Sequence, residues 1–176
     1  MKKEENNIAF IDGQNLYLGT INSKEPWKID LRRFRVFLEQ KYGVKKAYYY
    51  IGFSSDEYRN LYTHIQECGF IYVFKKHKEF LASNKKGNVD ADIVFDVMEK
   101  MYREKNNFNK IILVSGDGDY MRLVNFLIEE NKFKKILFPE QRKASSLYKR
   151  ITKKYFDDLG DSKGRIGKKR KGDLRY

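Results

Sequence analysis

The sequence predicts an α/β fold in which a mainly parallel sheet of about five strands lies between layers of helices. Short apolar runs rich in β-branched and aromatic residues alternate along the chain with segments of helical periodicity. Helical crossovers between successive strands are typical of βαβ units, whose strands are parallel and covered on both faces. The 176 residues, 41% of them apolar, suffice for a single domain with one core.

The strands are predicted from five apolar runs, at residues 8–11, 44–53, 70–74, 111–114 and 134–138. Helices are predicted where apolar residues recur three and four positions apart, at residues 31–38, 55–68, 89–102 and 120–130, with a shorter helix at 144–152. Asp30 is placed to cap the first of these helices, and Gly69 is placed to end the second. Residues 75–88 are polar and lack periodicity, which predicts a long loop.

The charge of the chain favours a polyanionic partner. It carries 37 Lys and Arg against 24 Asp and Glu, a net charge of +13. Residues 160–176 contain seven basic and two acidic residues with few large apolar ones. We therefore divide the chain into a domain at residues 1–159 and a flexible basic arm at residues 160–176. Contacts to the phosphates of a nucleic acid are expected from five cations of the long loop and the arm: Lys85, Lys86, Lys168, Lys169 and Arg170.

Cysteine content and hydropathy exclude several classes of protein. Cys68 is the only cysteine, so neither an internal disulfide nor a zinc site built from several thiolates can form. No apolar run approaches the roughly 18 to 20 residues of a membrane span, and residues 1–7 do not resemble a signal peptide. We expect a soluble cytoplasmic protein without a membrane partner, and leave open whether it forms a homo-oligomer.

Acidic residues directly follow two of the predicted strands. Asp12 comes after the first strand, and Asp117 and Asp119 come after the fourth. The ligand crevice of such a sheet lies beyond the carboxyl ends of its strands. A single acid at a strand end can simply cap the next helix, but three acids converge at one crevice if the two strands are neighbours.

A further group of acids lies on the helix predicted at residues 89–102. Asp90 is in its first turn, where it could merely complement the helix dipole. Asp92 and Asp96 share a face and repel, and no Lys or Arg stands four residues after Asp90 or Asp92. Asp96 is followed by Lys100 at the favourable spacing, so a structural and a functional role both stay open for it. Asp90 is the stronger candidate for the crevice.

Several carboxylates in one crevice repel each other unless a cation neutralises them. The chain has two histidines and no pair of thiolates, so oxygen ligands point to Mg²⁺ or Mn²⁺ rather than zinc. Such a centre supports attack of water on a phosphodiester. The metal ligands are expected to be Asp12, Asp90, Asp117 and Asp119.

Other acidic or glycine-rich motifs do not fit the residues present. An EF-hand loop beginning at Asp117 would need an acid or amide at position 121 and Glu at 128, where the chain has Met121 and Ile128. A phosphotransferase of the haloacid dehalogenase kind needs an acid at position 14, which is Gln14. Dinucleotide binding would also need a third glycine at position 121.

Three sequence blocks resemble the signatures of the NYN domain, the LabA-like branch of the PIN-like nuclease superfamily. They are FIDGQNLY at residues 10–17, KGNVDADIVFDVM at 86–98 and LVSGDGDYMRLVNFL at 113–127. Three blocks in the family's order are far more specific than one. The resemblance implies a PIN-like three-layer α/β/α sandwich and a metal-dependent ribonuclease.

The resemblance also implies roles for particular residues. It assigns catalytic roles to Asp12, Asp90, Asp117, Asp119, Asp96 and Asn15, and a substrate contact to Ser115. A helix cap for Asn15 and a turn for Ser115 are the structural alternatives. The expected function is hydrolysis of RNA phosphodiester bonds at the aspartates. The alternative is a non-catalytic RNA-binding or regulatory module that retains the metal site.

Overall fold

A parallel sheet forms the centre of the molecule. The structure, a computed structural model, describes residues 5–52, 59–74 and 89–169. Within these ranges the sheet has six strands in the order β3-β2-β1-β4-β5-β6, and every neighbouring pair is parallel. The strands are β1 (Asn7–Asp12), β2 (Val44–Ile51), β3 (Ile71–Phe74), β4 (Ile111–Val114), β5 (Phe133–Phe138) and β6 (Phe156–Asp158).

Helices cover both faces of the sheet, so the predicted three-layer PIN-like sandwich is confirmed. The α-helices of the described residues are α1 (Gly13–Ile21), α2 (Leu31–Tyr42), α3 (Arg59–Glu67), α4 (Asp90–Arg103), α5 (Met121–Glu129) and α6 (Lys163–Ile166). As predicted, Asp30 caps α2, its carboxylate accepting a hydrogen bond from the N–H of Arg33 at 3.1 Å. At the other end of α2, Gly43 adopts the left-handed conformation, with φ of 65°.

The strand β1 is buried along its whole length because it lies in the middle of the sheet. Its side chains alternate, so Ala9 and Ile11 pack with α1, α2, α3 and α6, while Ile8 and Phe10 pack with α4 and α5. Burial on both faces explains why β1 reads as an unbroken apolar run.

Strands β1 and β4 are hydrogen-bonded neighbours, in a register that pairs Ile8 with Ile111 and Ile11 with Val114. The chain leaves β1 by crossing to β2 on one side, whereas β4 flanks β1 on the other side. The sheet therefore has its topological switch point between β1 and β4, and the segments that follow these strands lie side by side.

The helix α1 was not among the helices predicted from periodicity, and two further elements also differ from the sequence prediction. The strand β6 was not expected, because three residues that include Asp157 and Asp158 carry too little apolar pattern. The short helix predicted at 144–152 is a 3₁₀ helix at Ser146–Arg150, one of several 3₁₀ turns between β5 and β6. The long loop predicted at 75–88 lies outside the described residues.

The prediction of a flexible arm from Gly160 onward is wrong for residues 160–169. The side chain of Ile166 is fully buried in the core between the sheet and α2. Backbone hydrogen bonds join this segment to the start of α2, from the Asp30 N–H to the Ile166 carbonyl and from the Lys168 N–H to the Lys28 carbonyl, both 2.8 Å long. One buried apolar side chain, Ile166, anchors this segment, although most of its other residues are polar or charged. Residues 170–176 lie outside the described residues.

None of the helices in the described ranges is both long and apolar enough to cross a bilayer.

Ile166→Ala is expected to lower the free energy of unfolding by about 2 to 4 kcal/mol, because it removes buried methyl groups and leaves a cavity. Urea denaturation measures the loss. Val36→Ala is the control, since Val36 lies on α2 with 45% of its surface exposed, and it should change stability by less than about 0.5 kcal/mol. Equal, small effects of the two substitutions would contradict the packing of α6 described above.

Candidate metal centre

An open cavity of about 690 Å³ lies beyond the carboxyl ends of β1 and β4. Its walls come from one side of α1 along its length, the start of α4, the loop after β4 and the segment after β5. All four aspartates expected as metal ligands line it: Asp12, Asp90, Asp117 and Asp119.

Three of these acids form a tight group. Asp90, Asp117 and Asp119 each present a carboxylate oxygen, and these oxygens all lie within 4.8 Å of one another. Asp90 is the first residue of α4, while Asp117 caps the 3₁₀ turn at Gly118–Tyr120 by accepting a hydrogen bond from the N–H of Asp119 at 3.0 Å. Oxygens at this separation are close enough to share one divalent cation.

Asp12 is the most deeply buried of the four acids, with only 5% of its surface exposed. It caps α1 by accepting a hydrogen bond from the N–H of Asn15 at 2.9 Å. The hydroxyl of Tyr120 lies 2.6 Å from Asp90 Oδ1 and 3.4 Å from Asp12 Oδ2. Tyr120 is itself buried, so it links Asp12 to the group of three from inside the core.

The environment of Asp12 disfavours its charged form. Burial is the main cause that raises its pKa from 3.8 to about 6, and the negative charges of Asp90 and Asp117 act in the same direction. Hydrogen bonds from Asn15 and Tyr120 oppose the shift. A divalent cation beside Asp12 would favour the charged carboxylate and so lower its pKa.

Asn15 and Ser115 hold the loop that carries Asp117. The side-chain oxygen of Asn15 accepts a hydrogen bond from the Gly116 N–H at 2.8 Å, which ties α1 to the end of β4. The hydroxyl oxygen of Ser115 accepts from the Asp117 N–H at 3.1 Å. Asn15 also lines the cavity. Ser115 is buried, with 1% of its surface exposed, and does not line it, so its observed contact is with the loop and not with the space for a substrate.

Asp96 lies apart from the other acids. Its carboxylate accepts a hydrogen bond from the Tyr50 hydroxyl at 2.6 Å, and it is not among the residues that line the cavity. The contact ties Asp96 to β2, and the catalytic role that the family resemblance implied for Asp96 stays a prediction.

The cations expected to contact phosphate are only partly described by the structure. Lys168 and Lys169 are exposed just after α6. Lys85, Lys86 and Arg170 lie outside the described residues.

Sequence reasoning missed two contributors to the site. Tyr120 immediately follows the two aspartates of the loop, and from the sequence a tyrosine at this position is interpreted as an ordinary core residue of the next helix. Lys143 lines the cavity from the segment after β5, and its ammonium group donates to the Asn22 carbonyl. Only the topology, which brings β5 beside β4, could have indicated it.

The donor set suits Mg²⁺ or Mn²⁺. The four acids offer carboxylate oxygens only, which these hard cations prefer. Neither sulfur nor imidazole lines the cavity within the described part of the chain.

Asp12→Asn should stabilise the metal-free protein at neutral pH, because a raised carboxyl pKa means that the folded state binds more protons than the unfolded state. Wild-type stability should therefore fall as pH rises from about 4 to 6, and the variant should avoid this loss. Its advantage should grow over that range to at most about 3 kcal/mol and then level off. Thermal melts in EDTA from pH 4 to 8 measure it. A difference that does not vary with pH would contradict the electrostatic explanation.

Comparison with known proteins supports the fold and the family. The chain is 28% identical over 127 residues to the Low amplitude and bright protein LabA of Synechococcus elongatus. The matched region covers 67% of this chain but only 65% of the relative's own length. The crystal structure of a protein of unknown function from Vibrio parahaemolyticus has the same fold, with a TM-score of 0.70 and 23% identity, covering 96% of this chain and 99% of that one. The family model of the NYN domain matches residues 7–159, and the chain therefore belongs to the NYN domain family.

Proposed function

We propose that this protein is a metal-dependent ribonuclease that hydrolyses RNA phosphodiester bonds in the cavity of the four aspartates. The observation that carries the proposal is the group of Asp90, Asp117 and Asp119, whose carboxylate oxygens lie within 4.8 Å of one another at the switch point of the sheet. Membership of a nuclease-like family and the net charge of +13 support a nucleic-acid substrate.

In this proposal Asp12, Asp90, Asp117 and Asp119 bind Mg²⁺ or Mn²⁺. When bound, the metal supplies a water activated for attack on phosphorus and positive charge for the departing oxygen. Tyr120 holds the carboxylates of Asp12 and Asp90 in place from within the core, and Asn15 keeps the loop of Asp117 against α1. The openness of the cavity leaves room for the RNA strand.

Lys168 and Lys169, together with Lys85, Lys86 and Arg170, are proposed to add phosphate contacts. We also propose a cytoplasmic location, because a single free cysteine, the buried Cys68, is typical of a protein from a reducing compartment.

The test is a single-turnover cleavage assay on single-stranded RNA with Mg²⁺, Mn²⁺ or EDTA. Either metal should support cleavage and EDTA should stop it. Binding of RNA without cleavage under all three conditions would instead support the alternative, a non-catalytic RNA-binding or regulatory module.

Asp117→Asn should reduce cleavage by on the order of 100-fold or more, the scale of losing one strong electrostatic stabiliser. The amide can still cap the 3₁₀ turn, so the fold should persist in thermal melts. Asp161→Asn is the matched control, because it makes the same chemical change at an exposed acid that does not line the cavity. An equal loss of activity in both variants would argue against the cavity as the site of cleavage.

A further inference from the structure

The segment between β5 and β6 carries an unusual concentration of positive charge. Residues 141–155 contain six cations and no acid: Arg142, Lys143, Lys149, Arg150, Lys153 and Lys154. All six are exposed. We call residues 141–155 the basic segment.

The basic segment is anchored directly to the loop of the metal centre. The Ser145 N–H donates to the Gly116 carbonyl at 2.9 Å, and the Tyr148 hydroxyl donates to the Asp117 carbonyl. Tyr148 is also buried against Phe138 at the end of β5. These contacts hold the backbone of the basic segment against the loop that carries Asp117.

The cations of the basic segment are not neutralised by acids of the fold. In the described residues, none of the six takes part in an ion pair. By contrast, cations elsewhere, such as Lys134 with Glu5 and Lys105 with Glu130, form close pairs. Exposed charge of one sign beside a cavity attracts a mobile polyanion.

A second cavity, of about 360 Å³, lies between α5 and the basic segment. Its walls are mostly apolar, with Met121, Ile128, Ile151 and Tyr155 among them, and Asn125 and Arg150 provide polar groups. Leu147 lines both this cavity and the one that holds the acids. The two spaces are therefore adjacent, with one exposed apolar side chain between them.

We propose that the basic segment is the binding track for single-stranded RNA that leads to the metal centre. Cations of the segment contact the phosphates, and the second cavity takes up one unstacked base beside Leu147. This inference rests on the proposed function, since it concerns the substrate of the same site. It requires a single strand, because only an unpaired base can leave the stack to enter a side cavity.

The phosphate contacts are tested by the double variant Lys149→Gln/Arg150→Gln. Binding of a fluorescein-labelled single-stranded RNA is followed by anisotropy in EDTA over a series of salt concentrations, so that no cleavage is needed. Losing two phosphate contacts should make the slope of log affinity against log salt shallower by about 1.4, at roughly 0.7 per contact. The slope of the wild-type protein is the reference.

The matched control is Lys45→Gln/Lys46→Gln, which removes the same charge from exposed residues at the amino end of β2, the opposite edge of the sheet. Its slope should stay close to that of the wild type. Equal changes in the two double variants, or no change in either, would overturn the proposal. A failure of cleavage alone would not overturn this proposal, because binding is measured without metal.

The base cavity is tested by Leu147→Ser, which removes the apolar wall that the two cavities share. Affinity for the single strand should fall about fivefold, the lower end of losses for a base contact, while the salt slope stays unchanged. Affinity for an RNA duplex of the same sequence should not change. The control is Leu61→Ser on α3, where the leucine is similarly exposed, at 43% against 53% for Leu147. An equal loss on duplex and single strand, or no loss, would refute the base cavity.

Discussion

The parallel pairing of β1 with β4 is the constraint on which the rest of the structure depends. It places the ends of two strands that are distant in sequence side by side, so that Asp12 meets the loop of Asp117 and Asp119. The pairing also brings negative charges together, and these add to the effect of burial, which is the main cause of the raised pKa of Asp12. The core must hold these groups together against their repulsion. It does so through Tyr120, whose ring is buried while its hydroxyl donates to the acids.

Much of the fold could be predicted because the central strands β1 and β4 are buried on both faces. The run at residues 111–114 has the same bounds in the structure, and Asp30 caps α2 as its position suggested. The apolar pattern did not predict elements that are only partly buried or that are anchored by a single side chain. β6 joins the edge of the sheet with only three residues. The segment around Ile166 is anchored by one apolar side chain among basic residues, so its composition resembles that of a disordered tail.

The candidate site was predictable only as far as topology determines it. Acids that follow strands must lie at the carboxyl edge, and the four aspartates do line one cavity there. Side-chain partners do not follow from sequence spacing in the same way. Asp96 contacts Tyr50, and Ser115 holds a backbone amide, because packing between distant elements decides which groups they meet. The position of the basic segment beside the acids could not be predicted either, because it depends on how the 3₁₀ turns after β5 pack against the loop of Asp117.

The closure of α6 against α2 affects how the protein folds during synthesis. Leu159 and Ile166 both belong to the core layer that also contains residues of α1 and α2. A nascent chain that has emerged only through β5 therefore lacks part of this layer and lacks the edge strand β6. During synthesis a domain generally folds as a unit, and a chain that still lacks core residues exposes apolar surface. This core layer consequently stays incomplete until residue 166 has emerged.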